Sequence, residues 1–303
     1  MKGTILFSLL LLLSFSSCRN GSNKTGEFVF PEADSIPLAE AEKLSPEAIA
    51  DISRNISSPA EIANLLQSLE VPFSQDYLAS SIDAKKQSTN FDKAVKLGIL
   101  GADLGYLNMY EKTGSSLDIL SSIRQLAEDL KVGQFFDFEL LKRLSQNKSD
   151  LDSLLFISID SYSKIDNYLR SDNRGQLSAL MIIGVWLESQ YFATQVADQY
   201  PDDVLSDRIG EQKIILNDLI LLLSPYCSRD NEFKALCEDL YNIREKYRDV
   251  KITYTQGDPI SIEKEGRMEI VQTEKSEVEM TPEQLEEIID ITKEIRNRLI
   301  LNN

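Results

Sequence analysis

Apolar residues recur at helical spacing along most of this chain, and two stretches are apolar on nearly every face. The first is 91–110, FDKAVKLGILGADLGYLNMY, and the second is 177–200, LSALMIIGVWLESQYFATQVADQY. A helix that is apolar all round is buried inside its domain and contacted on several sides. The sequence therefore predicts two central helices, and Pro201 ends the second of them.

The first central stretch contains three glycines, at positions 98, 101 and 105. Each of them weakens an isolated helix by about 1 kcal/mol relative to Ala, so the fold is expected to compensate for them. We expect this compensation to be the close approach of another backbone. The prediction is that Gly101 and Gly105 lie at a tight crossing, and that the partner is the helix around Gly184.

Amphipathic patterns predict the remaining helices, and Ser-Pro or Thr-Pro pairs mark several of their starts. They are expected to begin near 45 and 58 and to cover about 117–131, 137–146, 150–171, 203–223, 230–248 and 282–301. Thr281 and Gln284 have the spacing of a capping box at the start of the last helix. Alternating residues within 251–273 predict a small antiparallel hairpin or meander.

These elements predict a mainly all-α fold, either a multi-helical bundle or a tetratricopeptide-like helical array, with a small C-terminal β-hairpin. The array rests on a faint internal repeat, in which residues 99–104 align with residues 182–187. The predicted organisation is a signal peptide at 1–17, a flexible tether at 18–40 and one helical domain at 41–303. The hairpin is expected near 251–274 within this domain.

The N-terminus has the pattern of a bacterial lipoprotein signal. Lys2 precedes an apolar run over 5–15, which is too short to span a bilayer and is followed by two serines. Cys18 then stands where such proteins carry their lipid-modified first residue, although Phe15 occupies a position that is usually Leu. Several acyl chains on Cys18 would anchor the protein firmly. The alternative is an ordinary secretory signal with an incidental cysteine.

Charge and composition exclude several classes of function. The chain has 303 residues and a formal net charge of −17 at pH 7, so nucleic acid phosphates and anionic lipid headgroups are poor partners. It contains no histidine, which removes Ser-His-Asp and Cys-His catalysis and the His-based zinc sites. We expect no metal and no cofactor. The balance favours a protein without enzymatic activity, although paired carboxylates, Lys or Tyr can also serve catalysis.

Two acidic residues interrupt the central helices at positions that are otherwise apolar. Asp103 and Glu188 are therefore expected to be buried and paired, hydrogen-bonded or protonated. If the central helices pack at their glycines, the two carboxyl groups can line one cleft, and such a pair can hydrolyse a glycosidic bond. The alternative, which we favour, is two unrelated buried acids that each have a structural partner.

Aromatic residues and cysteines supply the other candidate sites. Tyr106, Tyr191 and Trp186, together with Tyr110 and Tyr200, can form a platform for a sugar or a peptide, although aromatic residues on apolar helices more often belong to the core. Cys227 and Cys237 can form a disulfide in an exported protein. Their spacing leaves a bridge and two free thiols equally open, because spacing alone does not fix the geometry.

Three segments carry a resemblance to a known group of proteins: SSPAEIANLL, NFDKAVKLGILGADLGYLNMY and RGQLSALMIIGVWLESQYFATQ. They resemble uncharacterised helical lipoproteins of Bacteroidota, with LGILGADLGY as the most specific part. The resemblance covers most of residues 45–250. It implies a bacterial, membrane-tethered, largely helical protein, and it implies no activity.

Two functions remain as hypotheses. The first is a lipid-anchored scaffold or protein-binding module, whose partners are the membrane, through Cys18, and another envelope protein. The second is a ligand-binding or hydrolytic protein that uses Asp103 and Glu188. The segment after Cys18 lacks the acidic cluster typical of surface export, so we expect the outer membrane, facing the periplasm.

Overall fold

The computed structural model describes residues 25–28, 65–66, 68–79, 82–144, 151–256, 260–264, 267–271 and 274–301. The predicted signal peptide, Cys18 and the helix starts near residues 45 and 58 lie outside these residues. The contacts divide the chain into two compact units. The smaller unit comprises residues 1–26 and 254–276, and the larger comprises 27–253 and 277–303.

Eight α-helices lie in the described part of the larger unit, and they confirm the mainly all-α fold. In chain order they are α1 (Asn90–Met109), α2 (Thr113–Asp129), α3 (Phe138–Leu144), α4 (Leu151–Ser171), α5 (Gly175–Gln199), α6 (Asp203–Leu223), α7 (Asn231–Lys246) and α8 (Pro282–Leu301). In the described residues, no helix has the length and the hydrophobicity needed to cross a bilayer.

The chain caps several of these helices with its own side chains. The Thr89 hydroxyl accepts a hydrogen bond from the Asp92 amide at the start of α1, at 3.0 Å. At α8 the predicted capping box is confirmed. The Thr281 amide donates to Gln284 Oε1 at 2.7 Å, and the Gln284 amide donates to the Thr281 hydroxyl at 3.3 Å. Helix α2 begins four residues earlier than predicted, because the reversal occurs at Glu111, whose φ is 57°.

The two central helices predicted from the sequence are α1 and α5. Helix α5 is buried along almost its whole length and packs against α1, α4, α6 and α8. Helix α1 makes its largest contact with α5, although three other helices separate the two in the chain. In a linear array each repeat contacts only its neighbours. The larger unit is therefore a bundle around α5.

The closest approach between α1 and α5 lies at Gly98 and Gly184. A Cβ added to Gly98 would overlap the carbonyl oxygen of Met181 and lie 2.9 Å from the amide nitrogen of Val185. A Cβ added to Gly184 would overlap the carbonyl oxygen of Val95. The predicted partner helix is therefore confirmed. Each glycine is required because any side chain would occupy the space of the other helix's backbone.

The prediction that Gly101 lies at this crossing is wrong. Gly101 is exposed, and no atom outside its own helical surroundings lies within 4 Å of a Cβ added there. Three positions along a helix turn the side-chain direction by about 60° away from Gly98, which is enough to leave the interface. The spacing of the glycines could not show which of them faces α5. Gly105 is only half-buried.

Five strands are described, and the predicted hairpin is confirmed. The strands are β1 (Thr25–Phe28), β2 (Lys251–Gln256), β3 (Ile260–Lys264), β4 (Arg267–Val271) and β5 (Glu274–Glu279). In the smaller unit, β3 and β4 pair antiparallel with Ile262 opposite Glu269. Strands β1, β2 and β5 form a sheet in that order. The sequence did not predict β1, which lies in the expected tether, or the highly charged β5.

The glycine crossing predicts opposite effects for two similar substitutions on α1. Gly98→Ala should lower the free energy of unfolding by about 1–3 kcal/mol, because the added methyl group forces α1 and α5 apart. Gly101→Ala, the matched control three residues away, should raise it by about 0.4–1 kcal/mol, because it reduces the entropy of the unfolded chain. Denaturant titration of both variants measures the difference. Stabilisation by Gly98→Ala would show that the helices do not meet there.

Candidate functional site

Three ionisable side chains meet in the interior of the larger unit. Asp103 comes from α1, Glu188 from α5 and Arg296 from α8, and their exposed fractions are 0%, 0% and 3%. Arg296 Nε donates a hydrogen bond to Glu188 Oε2 at 2.8 Å, and its Nη2 donates to Glu188 Oε1. This pairing is bidentate, which is the strongest arrangement between an arginine and a carboxylate. The guanidinium carbon also lies 4.2 Å from the ring centre of Tyr191.

Asp103 lies beside this ion pair and interacts directly with Glu188. Its Oδ2 accepts a hydrogen bond from the Ala79 amide at 3.1 Å. Its Oδ1 is fully buried and has no hydrogen-bond partner among the described residues, so an ionised Asp103 would leave a buried negative charge on an oxygen without a donor. Two ionised carboxylates beside a single guanidinium would also leave one negative charge uncompensated. One of the two must carry a proton.

The electrostatics place this proton on Asp103. Burial raises the pKa of Asp103 well above its usual range, and the negative charge of Glu188 raises it further. Burial also raises the pKa of Glu188, but the hydrogen bonds and positive charge of Arg296 oppose this. Because Arg296 stabilises an ionised Glu188, Asp103 is the acid that keeps the proton. The three side chains then carry no net charge, which lowers the cost of burying them.

A segment without long regular structure lies over these residues. We call residues 71–79 the strap, and only a short 3₁₀ turn, Gln75–Tyr77, interrupts its extended backbone. Helix side chains bind its backbone at four points. The bonds are Tyr110 hydroxyl to Val71 oxygen at 2.8 Å, Ser74 amide to Tyr106 hydroxyl at 3.0 Å, Arg296 Nη2 to Tyr77 oxygen at 2.9 Å, and Ala79 amide to Asp103 Oδ2 at 3.1 Å.

The predicted aromatic residues belong to the core around this strap. Tyr106 stacks on Phe192 with ring centres 4.7 Å apart, and it lies 4.9 Å from the Tyr110 ring. Burial raises the pKa of Tyr106, so its hydroxyl remains a neutral hydrogen-bonding group. Tyr191 is also buried. Among the proposed platform residues, Tyr200 is the one with a clearly exposed ring, at 43%.

Trp186 lies on another face of α5 and has a structural partner. It is almost completely buried, and its indole nitrogen donates to Gln212 Oε1 at 2.9 Å. A buried indole N–H normally needs such an acceptor. Trp186 therefore links α5 to α6 and does not contribute to an open binding surface.

The two remaining cysteines form a disulfide. Cys227 follows the 3₁₀ turn Ser224–Tyr226, and Cys237 lies in α7, with Cα atoms 5.8 Å apart. This distance is typical of a disulfide. The bridge fixes the connection between α6 and α7. Of the two alternatives that the spacing left open, the structure has the bridge.

The sequence pointed to two members of the buried cluster, Asp103 and Glu188, but not to the third, Arg296. Arg296 lies on the inward stripe of α8, one turn after the fully buried Thr292. A basic residue on an otherwise apolar stripe was the available signal. The favoured expectation was two unrelated acids that each have a structural partner. Each acid does have its own partner, Asp103 the Ala79 amide and Glu188 the Arg296 guanidinium, but the two are not unrelated, because the charges of Glu188 and Arg296 act on Asp103. That part of the expectation failed because α8 lies far from both acids in the sequence.

The cluster can pass one proton between Asp103 and Glu188, but the surrounding protein encloses both carboxyl groups. Both carboxyl groups have no exposed surface, so a substrate cannot reach them in this conformation. No cluster of three or more potential metal-ligating side chains occurs in the part of the chain that the structure describes. In comparisons with known proteins, no protein-family model, no curated protein and no solved structure matches this chain.

The assignment of charge predicts different outcomes for two matched isosteric substitutions. Asp103→Asn should change the free energy of unfolding by less than about 1.5 kcal/mol, since an amide is uncharged like the protonated acid and can accept the hydrogen bond from Ala79. Glu188→Gln should cost about 3–5 kcal/mol, because it leaves the Arg296 charge buried without a counter-ion. Chemical denaturation at neutral pH measures both. Equal costs, or a larger cost for Asp103→Asn, would contradict the assignment.

Proposed function

We propose that this protein is a lipid-anchored component of the bacterial cell envelope that acts by binding another envelope protein and not by catalysis. The observation that carries the second part is the enclosure of Asp103 and Glu188. Both carboxyl groups lie in the described core, where they form a cluster with Arg296 that carries no net charge. A catalytic pair must instead reach its substrate.

Two cysteine features support the envelope as the compartment. Cys18 stands where a lipoprotein signal places its acylated residue, directly after the apolar run and the two serines. The Cys227–Cys237 disulfide suits an oxidising compartment, since cytosolic thiols are normally kept reduced. The resemblance to lipoproteins of Bacteroidota points the same way. The segment after Cys18 favours the outer membrane, facing the periplasm.

The form of the helical domain supports a binding role. It is a bundle whose helices are connected by hydrogen bonds, a buried ion pair and a disulfide. Its net charge of −17 keeps the surface acidic, which favours partners with a basic surface and disfavours nucleic acid. A membrane-tethered bundle of this kind can hold a partner protein at the membrane without catalysing a reaction.

The second candidate is a ligand-binding or hydrolytic protein. What favours it is the difference in environment within the acid pair, because burial and the charge of Glu188 raise the pKa of Asp103, whereas Arg296 opposes the rise in the pKa of Glu188. Glycosidases use such a division between a protonated acid and a carboxylate. Enclosure by the strap argues against it, since hydrolysis would require the strap to leave.

The lipid anchor is tested by Cys18→Ser. With the cysteine replaced, labelling of the protein by a radioactive fatty acid should disappear and the uncleaved precursor should accumulate, because the acyl-accepting thiol is missing. Gel mobility and scintillation counting of the membrane fraction measure both. Normal cleavage and release of the Cys18→Ser protein would show that the signal is an ordinary secretory one.

The binding role is tested by affinity capture from cross-linked envelope extracts, with three baits. The unaltered chain and Asp103→Asn should capture the same protein, because both keep the fold and its surface. Glu188→Gln, the destabilised variant, should capture it only to the extent that its bundle remains folded. Recovery should fall as salt rises, since charge contributes to the contact.

Two results would contradict this function. One is the absence of any protein that both folded baits capture and that a matrix without bait does not. The other is hydrolysis of a glycoside by the unaltered protein that Asp103→Asn abolishes while the fold is retained. The second result would establish the alternative, because Asn cannot donate the proton that Asp103 holds.

A further inference from the structure

We propose that the strap, residues 71–79, is a pH-dependent latch, which the Asp103–Glu188 pair holds closed while the pair carries its proton. The strap lacks the backbone ladder that fixes a helix or a strand. Its backbone is instead hydrogen-bonded to the side chains of Asp103, Tyr106, Tyr110 and Arg296, and its own Val71, Tyr77 and Leu78 are buried in the core.

Two of the four backbone bonds end on the buried charged cluster. The Ala79 amide donates to Asp103, and the Tyr77 carbonyl oxygen accepts from the guanidinium that also binds Glu188. The ring of Tyr77 is buried, as are the rings of Tyr106 and Tyr191. The end of the strap is therefore the cover of the cluster. It cannot lift without exposing the acid pair to water.

Water changes the preferred protonation state of Asp103. An exposed aspartate is ionised above about pH 4, whereas burial and the charge of Glu188 raise the pKa of Asp103 well above this in the closed state. The closed form therefore holds a proton that the open form releases. Opening becomes more favourable as the pH rises between these two pKa values, and it is independent of pH below both of them.

Among the charged groups around the cluster, Asp103 is the one whose protonation changes when the strap opens. Glu188 from α5 raises its pKa and Arg296 from α8 lowers it. The strap adds Tyr77, whose pKa burial raises to about 12, and the exposed Asp76. The charged side chains of α2 are exposed to solvent; they are Asp118, Arg124, Glu128 and Asp129. On α4, the buried Asp166 forms an ion pair with Arg170 at 2.9 Å.

The latch is tested by hydrogen–deuterium exchange of the purified protein across a series of pH values. After correction for the intrinsic exchange rate, the protection factor of peptides within 71–79 should fall up to tenfold per pH unit above about pH 4, because each opening releases one proton. In Asp103→Asn the protection factor should not vary with pH, since the amide does not titrate. Peptides from α5 exchange only when the bundle unfolds, so their protection factors should exceed those of the strap at every pH, and the fluorescence of Trp186 should stay constant.

Two outcomes would overturn the proposal. A protection factor of the strap that is flat with pH in the unaltered protein, or equally pH-dependent in Asp103→Asn, would show that this proton does not control the strap. Protection factors that are equal in the strap and in α5 at every pH would show that the two open together and that no separate latch exists. The pH series on the unaltered protein stands even if the variant folds poorly.

Discussion

The parallel crossing of α1 and α5 is the constraint on which the rest of the larger unit depends. At Gly98 and Gly184 each backbone lies where the other residue's side chain would otherwise be. From this crossing onward the two helices run in the same direction and remain close to each other. Asp103 of α1 lies near Glu188 of α5, and further along Tyr106 stacks on Phe192. Short acidic side chains can meet only because the backbones are this close.

The acid pair in turn determines which other parts of the chain can pack here. Two buried carboxyl groups are costly unless they are paired, neutralised and hydrogen-bonded. Arg296 supplies the positive charge and α8 thereby acquires a fixed position against α5. The proton on Asp103 removes the second negative charge. The strap then satisfies Asp103 and Arg296 with its own backbone groups, so a segment with little regular structure has a defined place.

The sequence predicted the helices well because their signals are local. Thr281 with Gln284, and the apolar run ended by Pro201, depend on residues a few positions apart. What it missed depends on residues far apart in the chain. The exposure of Gly101, the partnership of Arg296 with Glu188, and the placement of the strap are all set by tertiary packing. Strand β5 was missed because its alternation of charged residues contains one apolar side chain, Val278.

Asp103 connects the helix crossing, the ion pair and the strap, and its protonation is therefore the central claim. It can be measured directly by carbon-13 NMR of the side-chain carboxyl group, with selectively labelled aspartate and with Asp103→Asn to assign the signal. The account predicts that the Asp103 signal keeps the chemical shift of a neutral acid at pH values where exposed aspartates have ionised. Titration of Asp103 in the ordinary aspartate range, near pH 4, would contradict it.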